Sequence, residues 1–437
     1  MNPEQSFVLE EVFRAEEVMG EFVGKIMILG ASYSQIPLIR AAKRLGYEAL
    51  AVSIPGNYAG FAEADRIIYA DISDPEAVLR AAEEERIDGI TTCCMDVGIR
   101  AQGYVCEKLG LPGPGIFGTE ASCDKSVEKA AYVRCGVNTA AYALVSDENE
   151  LKEALKRLHF PVILKAVDLM GSRGIFRADS EEEACICLRR SLDASRKTFC
   201  IVEEFLEGQM FGVEAMISRG KPAFCLPLGN VMRKGNPTFP IGHYVPWERA
   251  DELSDAVEEQ VMGVAKALGF DNCGMDLDCM YLDGKIYVIE ATARAGATCI
   301  TDTVSIRYGI DYYEALIRAA VGEDTCAMFG KTAESSETEL PVGISSAMLP
   351  RRASITRLLS AEREGIVTGI HIPDSLPEEV YDLSFNVKPG DQVRPMANGA
   401  DRAGQLIVCS DSLARCGEVM DRVLSGIRIE TEDSGGL

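Results

Sequence analysis

The stretch GMDLDCMYLDGKIYVIEATAR, residues 274–294, decides the fold of this chain. Apolar and polar residues alternate on both sides of Asp283-Gly284, and this dipeptide between two alternating runs is a strong signal for a β-hairpin. Asp278 lies before the turn and Glu290 lies after it at a similar distance, so we expect the two carboxylates to meet on neighbouring strands. Carboxylates paired in this way suit a hard cation such as Mg²⁺.

An exposed acidic hairpin is the simpler explanation, because the chain has 68 acidic residues. Three apolar neighbours of Glu290 favour instead a strand that is packed on both sides: Ile286, Val288 and Ile289. A buried acid in such a strand needs a partner. Asp276 shares the strand face of Asp278 and could assist or replace it as a cation ligand.

A basic residue, Arg294, follows Glu290 at the end of the quoted stretch. Its guanidinium could hold a transferring phosphoryl group or an acyl phosphate, because arginine matches the geometry of both anions. It could equally well pair with a neighbouring acid. The residue by itself does not decide between these alternatives.

A loop that contains glycine follows the apolar strand predicted over residues 161–165, which ends at Lys165. Glycine lets backbone N–H groups approach an oxyanion, and Lys165 and Arg173 add positive charge, so the loop suits phosphate binding. The Walker pattern is absent, and a glycine turn beside exposed basic residues is the alternative. The loop residues in question are Gly171, Ser172, Arg173 and Gly174.

The chain has 437 residues and a formal net charge of −24, from 44 basic and 68 acidic residues. This length corresponds to about three domains. The charge argues against nucleic acid and against an anionic membrane surface as partners, because both need a basic face. It does not exclude a small anionic ligand in a local basic pocket.

No apolar run has the length of a membrane-spanning helix, and the acidic, amphipathic N-terminus lacks the features of an export signal. The 15 cysteines include no CxxC pair, and the 3 histidines are far apart in the sequence. A histidine-based zinc site is therefore not expected. We predict a cytoplasmic protein with reduced cysteines.

Strand–helix alternation in the first part of the chain predicts a parallel α/β sheet. A proline- and glycine-rich cluster at 111–115 ends this alternation, and the small polar residues at 331–339 predict a linker. The expected architecture combines α/β and α+β parts. Its units are an acidic helix (1–22), an α/β domain (23–115), a central domain (116–330) and a small C-terminal α+β domain (331–437).

Four motifs occur in an order that resembles the ATP-grasp superfamily, in its branch of carbamoyl-phosphate synthetases, biotin carboxylases and L-amino-acid ligases. They are Lys125 in CDKS, Lys165 with the GSRG loop, the stretch VEEFLEG at 202–208, and Glu290 with Arg294. The resemblance spans nearly the whole chain. It implies an ATP-grasp fold with an N-terminal parallel α/β (pre-ATP-grasp) domain, and the segments 390–393 and 401–404 resemble the family's small C-terminal domain.

The resemblance also implies roles for individual residues. Lys125 and Lys165 would contact the ATP phosphates, with Gly171, Ser172, Arg173 and Gly174 as a lid over them. Glu203, Glu204, Phe205 and Leu206 would line the adenine, and Glu214 would be a second polar residue near the nucleotide. Asp278 and Glu290 would hold Mg²⁺ or Mn²⁺. Lys165 and Arg294 would be catalytic, and Arg294 would grip the acyl phosphate.

Two positions depart from the family pattern. Thr292 replaces an asparagine that commonly ligates the metal, and Met210 replaces an acid that often binds the ribose hydroxyls. A threonine hydroxyl is a weaker ligand for a hard cation than an amide oxygen, so the departures affect the expected ATP affinity and metal stoichiometry. The phosphate-binding and carboxylate core of the motifs is retained.

The resemblance implies an ATP-dependent carboxylate–amine ligase that acts on small molecules. Such enzymes activate a carboxylate as an acyl phosphate and then form an amide or peptide bond. The segment 231–247, with His243 and the only tryptophan, is expected to border the substrate, or else to be an ordinary hairpin extension. A homodimer is the default assembly for a soluble enzyme.

Three other functions compete with this one. The first is another ATP-grasp carboxylase or a purine-pathway ligase, and the second is a nucleotide-binding sensor without turnover, which Thr292 and Met210 would favour. The third is a dinucleotide-dependent oxidoreductase. It depends on the segment 30–35, which lacks the G-x-G-x-x-G spacing.

Overall fold

A computed structural model describes residues 22–169, 173–233, 239–330 and 352–433. The predicted linker at 331–339 and all but the last residue of the predicted N-terminal helix lie outside these ranges. None of the helices formed by the described residues is both long and apolar enough to cross a membrane.

The first sheet is parallel, as the strand–helix alternation predicts, with the strand order β3-β2-β1-β4. Asp74 caps the helix that begins at Pro75, because its side chain accepts hydrogen bonds from two backbone N–H groups of the first turn. The strands are β1 (Lys25–Leu29), β2 (Glu48–Ser53), β3 (Arg66–Tyr69) and β4 (Gly89–Thr91). The helices are α1 (Ile36–Arg44), α2 (Pro75–Glu85) and α3 (Ile99–Leu109).

Two helices, α4 (Ile116–Ala121) and α5 (Lys125–Cys135), lead into a second sheet, which is antiparallel and has the order β5-β8-β6-β7. The strands are β5 (Tyr142–Val145), β6 (Val162–Ala166), β7 (Ile175–Ala178) and β8 (Cys200–Glu204). The helices are α6 (Glu148–Leu155) and α7 (Glu181–Ala194), and both contribute to the apolar core of this sheet.

The central sheet has eight strands in the order β13-β12-β9-β10-β11-β14-β18-β16. The predicted hairpin forms its edge and turns at Asp283-Gly284. Its first five strands along the chain are β9 (Gln209–Ser218), β10 (Lys221–Met232), β11 (Pro240–Val245), β12 (Cys273–Leu282) and β13 (Lys285–Thr292). The helices of this region are α8 (Ser254–Leu268), α9 (Ile300–Tyr308) and α10 (Tyr312–Ala320).

The C-terminal part contains short strands and a long helix, as expected, and its strands are divided between the central sheet and a small sheet of their own. Strand β14 (Ala353–Leu359) pairs with β11, and β18 (Gly404–Ser410) and β16 (Val380–Phe385) follow in the central sheet. The remaining strands form a small sheet in the order β17-β15-β19. They are β15 (Gly365–His371), β17 (Gln392–Val393) and β19 (Arg428–Glu432), and the helix is α11 (Leu413–Gly426).

Trp247 belongs to the hydrophobic core. Only 2% of its surface is exposed, and its ring stacks on Phe211 with centroids 4.1 Å apart and an interplanar angle of 7°. An aromatic pair of this kind contributes buried apolar area and a specific ring geometry. The tryptophan therefore fixes strand β9 against the residues that follow β11.

Gly242 on β11 lies very close to the backbone of β14. A Cβ atom at this position would lie 1.9 Å from the carbonyl oxygen of Thr356, a backbone atom that cannot rotate away. We expect Gly242→Ala to lower the free energy of unfolding by about 2–3 kcal/mol, because the two strands must separate. Urea unfolding followed by circular dichroism measures this change.

Gly417→Ala is the matched control, because this glycine lies in α11 and a Cβ there would contact nothing within 4 Å. We expect this variant to be as stable as the parent or more stable by up to about 1 kcal/mol, from the higher helix propensity of alanine. Equal stability of both variants would contradict the proposed close contact at Gly242.

Candidate functional site

The two carboxylates of the hairpin face each other. Asp278 is the direct register partner of Glu290 in the antiparallel pair β12–β13, beside an irregularity at Cys279. Burial, and next the neighbouring charge of Glu290, raise the pKa of Asp278 to about 8. The ammonium group of Lys125 lowers the pKa of Glu290. At neutral pH the site therefore contains an ionised carboxylate, Glu290, beside one, Asp278, that is largely protonated.

Lys125 is the first residue of α5, where Asp124 caps the helix. Its Nζ atom lies 3.1 Å from Oε2 of Glu290 and donates a hydrogen bond of 3.0 Å to the carbonyl of Leu169. The helix thus directs one ammonium group at the carboxylate pair. Leu169 is the last described residue before the predicted lid, so the same lysine also contacts the base of that loop.

Lys165 lies on β6 and is only 6% exposed. Its Nζ atom donates to Oε2 of Glu203 at 3.1 Å, and Nζ of Lys129 lies 3.2 Å from the same oxygen. After the larger effect of Lys125, the charge of Lys165 contributes to the lowered pKa of Glu290, and it partly offsets the raised pKa of Asp278, so it acts on the hairpin carboxylates as well. Lys129 was not singled out in the sequence, although it follows Lys125 by one helical turn.

The side chain of Glu203 lies in a buried and charged environment. A residue that lines the adenine through its backbone alone would not need such an environment. The Glu203 side chain is 2% exposed and is held between two lysines, and its Oε1 atom is buried without a hydrogen-bond partner among the described residues. Burial raises its pKa and the charges of Lys165 and Lys129 lower it, with a net lowering. The orphaned oxygen is an acceptor that a bound ligand could satisfy.

The three residues after Glu203 end strand β8 and enter the next loop. Glu204 accepts hydrogen bonds from the backbone N–H of His159 and lies 2.6 Å from its ring Nδ1. Phe205 donates its backbone N–H to Pro161, and Leu206 is half-buried. These residues lie at the carboxyl end of β8, an inner strand that pairs with the strand that carries Lys165.

The predicted lid is only partly described. Gly171 and Ser172 lie outside the described residues, and Arg173 and Gly174 immediately precede β7. Gly174 has φ of +68°, and its carbonyl accepts a hydrogen bond from the backbone of Ala166. The end of the loop is therefore fixed to the strand that contains Lys165.

Arg294 links two parts of the molecule. Its Nε and Nη2 atoms lie 2.9 Å and 2.8 Å from Oδ1 of Asp96, which follows β4 of the first sheet, and its Nη1 atom donates to Asp276. Asp276, a candidate cation ligand in the sequence, is thus engaged by the guanidinium. Asp96 was missed, although polar residues after a parallel strand commonly lie at a ligand-binding edge.

Glu214 on β9 contacts the backbone of the segment that follows Arg294. It is fully buried opposite Asp276, accepts a hydrogen bond of 2.7 Å from the hydroxyl of Tyr312, and accepts another of 3.0 Å from the backbone N–H of Gly296. Burial and then the charge of Asp276 raise its pKa well above the ordinary range. Both oxygens are engaged within the protein, which supports a positioning role more than a contact with the nucleotide.

His243 is buried on β11, where its Nδ1 atom lies 3.0 Å from Oδ1 of Asn230. Burial lowers its pKa to about 4, so the ring is neutral at physiological pH. Its role toward a substrate remains a prediction.

The two residues that depart from the family pattern lie in the central sheet. Thr292 is the register partner of Asp276, and Met210 is the register partner of Met280.

Comparison with known proteins supplies two family matches. Residues 123–262 match the ATP-grasp (A) domain of phosphoribosylglycinamide synthetase, and residues 357–432 match the L-amino acid ligase C-terminal domain 2. These two ranges contain most of the residues discussed above. The hairpin and Arg294 lie between them.

Three relatives resemble the chain over most of its length. The crystal structure of phosphoribosylglycinamide synthetase from Anaerococcus prevotii is 32% identical, has a TM-score of 0.79, and is covered completely by 94% of this chain. The L-amino acid ligase of Bacillus licheniformis has the same fold, with 19% identity, a TM-score of 0.74, and coverage of 94% of this chain and 99% of that chain. The formate-dependent phosphoribosylglycinamide formyltransferase of Methanocaldococcus jannaschii is 23% identical over 420 residues, which are 93% of this chain and 97% of the relative.

Proposed function

The chain belongs to the ATP-grasp superfamily and is an ATP-dependent carboxylate–amine ligase, and from this premise we propose a role for each group of its site residues. Lys125 and Lys165 bind the triphosphate, and Arg294 holds the carboxylate that becomes the acyl phosphate. One observation carries this proposal. Cations from helix α5 and strand β6 act on the carboxylate pair Asp278 and Glu290, which come from a third element.

The carboxylate pair fits Mg²⁺ or Mn²⁺. Burial, and next the charge of Glu290, raise the pKa of Asp278, and a divalent cation would favour the ionised form of both carboxylates. Among the described residues no three His, Cys, Asp or Glu side chains are placed to hold a metal alone. This agrees with a magnesium ion that takes its other ligands from phosphates and water. When bound, the cation neutralises charge on the transferring phosphoryl group.

The proposed reaction has two steps. An oxygen of the substrate carboxylate attacks the γ-phosphorus of ATP, the bond to the leaving ADP breaks, and an acyl phosphate forms. The uncharged amine nitrogen then attacks the acyl carbon, the bond between this carbon and the phosphate oxygen breaks, and the leaving phosphate takes up the proton that the nitrogen loses. Both steps depend on positioning and on neutralising negative charge, so Lys125, Lys165 and Arg294 suffice without a histidine base.

Support for the adenine side comes from Glu203. Its buried Oε1 atom has no hydrogen-bond partner among the described residues, and an amino group such as that of adenine would satisfy it. The family motif at 202–208 is part of the matched range. We therefore propose that Glu203 and Glu204, with Phe205 and Leu206, form the adenine-binding edge.

Nucleotide binding and turnover can be tested separately. A non-hydrolysable ATP analogue with Mg²⁺ should raise the melting temperature of the protein, because a ligand that prefers the folded state stabilises it. ADP release should then appear with some pair from a screen of amino acids, other carboxylates and amines. The relatives' names point to amino acids, and to formate with phosphoribosylglycinamide, as the first substrates to include. A thermal shift without ADP release from any pair would favour a sensor, and no shift at millimolar ligand would refute the site.

A further inference from the structure

A cavity of about 490 Å³ adjoins the Arg294 segment. Its lining comes from the residues after β1, from the beginning of α9, and from strands β16 and β18 of the C-terminal part. Cys94 lies in its wall, and the backbone N–H and thiol of this residue contact the carbonyls of Ala295 (3.0 Å) and Gly296 (3.3 Å). Through Cys94 and Thr298 the cavity adjoins the chain segment that follows Arg294, the residue that we propose to hold the reacting carboxylate.

Two aspartates line this cavity without a cationic partner among the described residues. Asp382 on β16 accepts hydrogen bonds of 2.8 Å from both Ser384 and Gln405, and the hydroxyl of Tyr313 donates to Asp302 on α9. Burial, and next the charge of Asp382, raise the pKa of Asp302 to about 7, and the charge of Asp311 adds to this. Ionised carboxylates that share such a space are unfavourable until a cation joins them.

The opposite charge in the cavity is concentrated at Arg402. Its Nη2 atom donates a hydrogen bond of 2.5 Å to the hydroxyl of Ser34, and it forms no ion pair with any described residue. The other arginine in the wall, Arg40, already binds Glu63 through two hydrogen bonds of 3.0 Å and 2.7 Å. The cavity thus offers one available guanidinium and two uncompensated carboxylates.

We propose that this cavity binds a substrate with an ammonium group, which Asp302 and Asp382 hold, while Arg402 holds an anionic part of the same or the second substrate. This inference rests on the proposed ligase function, because it assigns the open space beside the segment that follows Arg294 to a substrate. The charge pattern favours a free amino acid over a phosphorylated sugar amine. A phosphate dianion would meet two carboxylates and only one available guanidinium in this space.

The first experiment uses the wild-type protein. ADP release is measured with the common L-amino acids and with the same acids acetylated on nitrogen, which removes the ammonium charge but keeps the carboxylate. We expect activity with one or more free amino acids and at least about a tenfold loss with the acetylated forms, because hydrogen bonds between charged groups contribute strongly. A mixture of glycine and phosphoribosylamine is assayed in parallel and represents the phosphorylated amines, with which the free amino acids are compared.

The second experiment uses the variants Asp302→Asn and Asp382→Asn, which keep the shape of each side chain and remove its charge. We expect the KM for the amino acid to rise about 10- to 100-fold in each variant, while the KM for ATP stays unchanged. Asp374→Asn, at an exposed position before β16, is the matched control and should keep the parent KM values.

The outcomes separate this inference from the ligase function. Three results would overturn the inference and leave the ligase function intact. They are ADP release that is equally fast with acetylated amino acids, ADP release that requires the phosphorylated amine, and an unchanged KM for the amino acid in both variants. If no pair releases ADP, the ligase function fails. In that case the binding of amino acids to the cavity is tested by the change in melting temperature that millimolar amino acids cause in the presence of Mg²⁺ and the ATP analogue. A shift in the parent that both variants lose supports the inference, and the absence of any shift contradicts it.

Discussion

Lys165→Ala is expected to reduce the rate of ADP release about 10³-fold or more, which corresponds to about 4 kcal/mol of transition-state stabilisation. The ammonium group of Lys165 is almost completely buried, and its charge partly offsets the raised pKa of Asp278 and contributes to the lowered pKa of Glu290. A charge in such an environment has a larger effect on a transferring phosphoryl group than a charge in water. Steady-state ADP release with the best substrate pair measures the change.

The fold should survive this substitution, because Glu203 keeps Lys129 as its partner at 3.2 Å. Circular dichroism and the melting temperature without ligand check this point. Lys156→Ala removes an exposed lysine that pairs with Glu153 on the protein surface, and this control variant should retain full turnover. A Lys165→Ala protein that folds and releases ADP at the parent rate would refute the proposed phosphate site.

Glu290→Gln is expected to reduce ADP release by a similar factor, about 10³-fold, and to raise the Mg²⁺ concentration needed for half-maximal activity. The substitution keeps the shape of the side chain but removes the charge that faces Asp278 in the register of the hairpin. It also removes the partner of Lys125, which retains its hydrogen bond to Leu169. A titration of turnover with Mg²⁺, at saturating ATP, separates the loss of metal affinity from the loss of maximal rate.

Asp283→Asn provides the comparison within the same hairpin. Asp283 is an exposed turn residue with φ of +49°, a backbone conformation that asparagine tolerates well. This variant loses one negative charge at the far end of the hairpin, and its Mg²⁺ dependence should match that of the parent. If both variants behaved alike, the acidic hairpin would act only through its overall charge and not as a metal site.

The hairpin could be predicted because its signals are local. A turn dipeptide and alternation on both sides fix the register, and the register places Asp278 opposite Glu290. The parallel first sheet was predicted on similar grounds, from strand–helix alternation. Both predictions need only neighbouring residues and the periodicity of strands and helices.

Contacts between distant segments could not be predicted in the same way. Asp96 and Arg294 are 198 positions apart, and no local pattern records that pairing. The three strands that extend the central sheet depend on the pairing of β11 with β14, which lies across the segment of predicted linker. The family motif predicts Glu203 as part of an adenine edge, and its buried place between Lys129 of α5 and Lys165 of β6 follows only from the tertiary contact of these elements.

The ion pair between Arg294 and Asp96 bears on how proteins of this architecture can diversify. The guanidinium that we propose for catalysis is oriented in part by an acid from the N-terminal unit, so this unit contributes directly to the reactive centre. A recombination event that exchanged the N-terminal unit for that of a homologue would leave the arginine misaligned unless the incoming segment supplied an equivalent acid. The two units therefore constrain each other's evolution, although each has a sheet of its own.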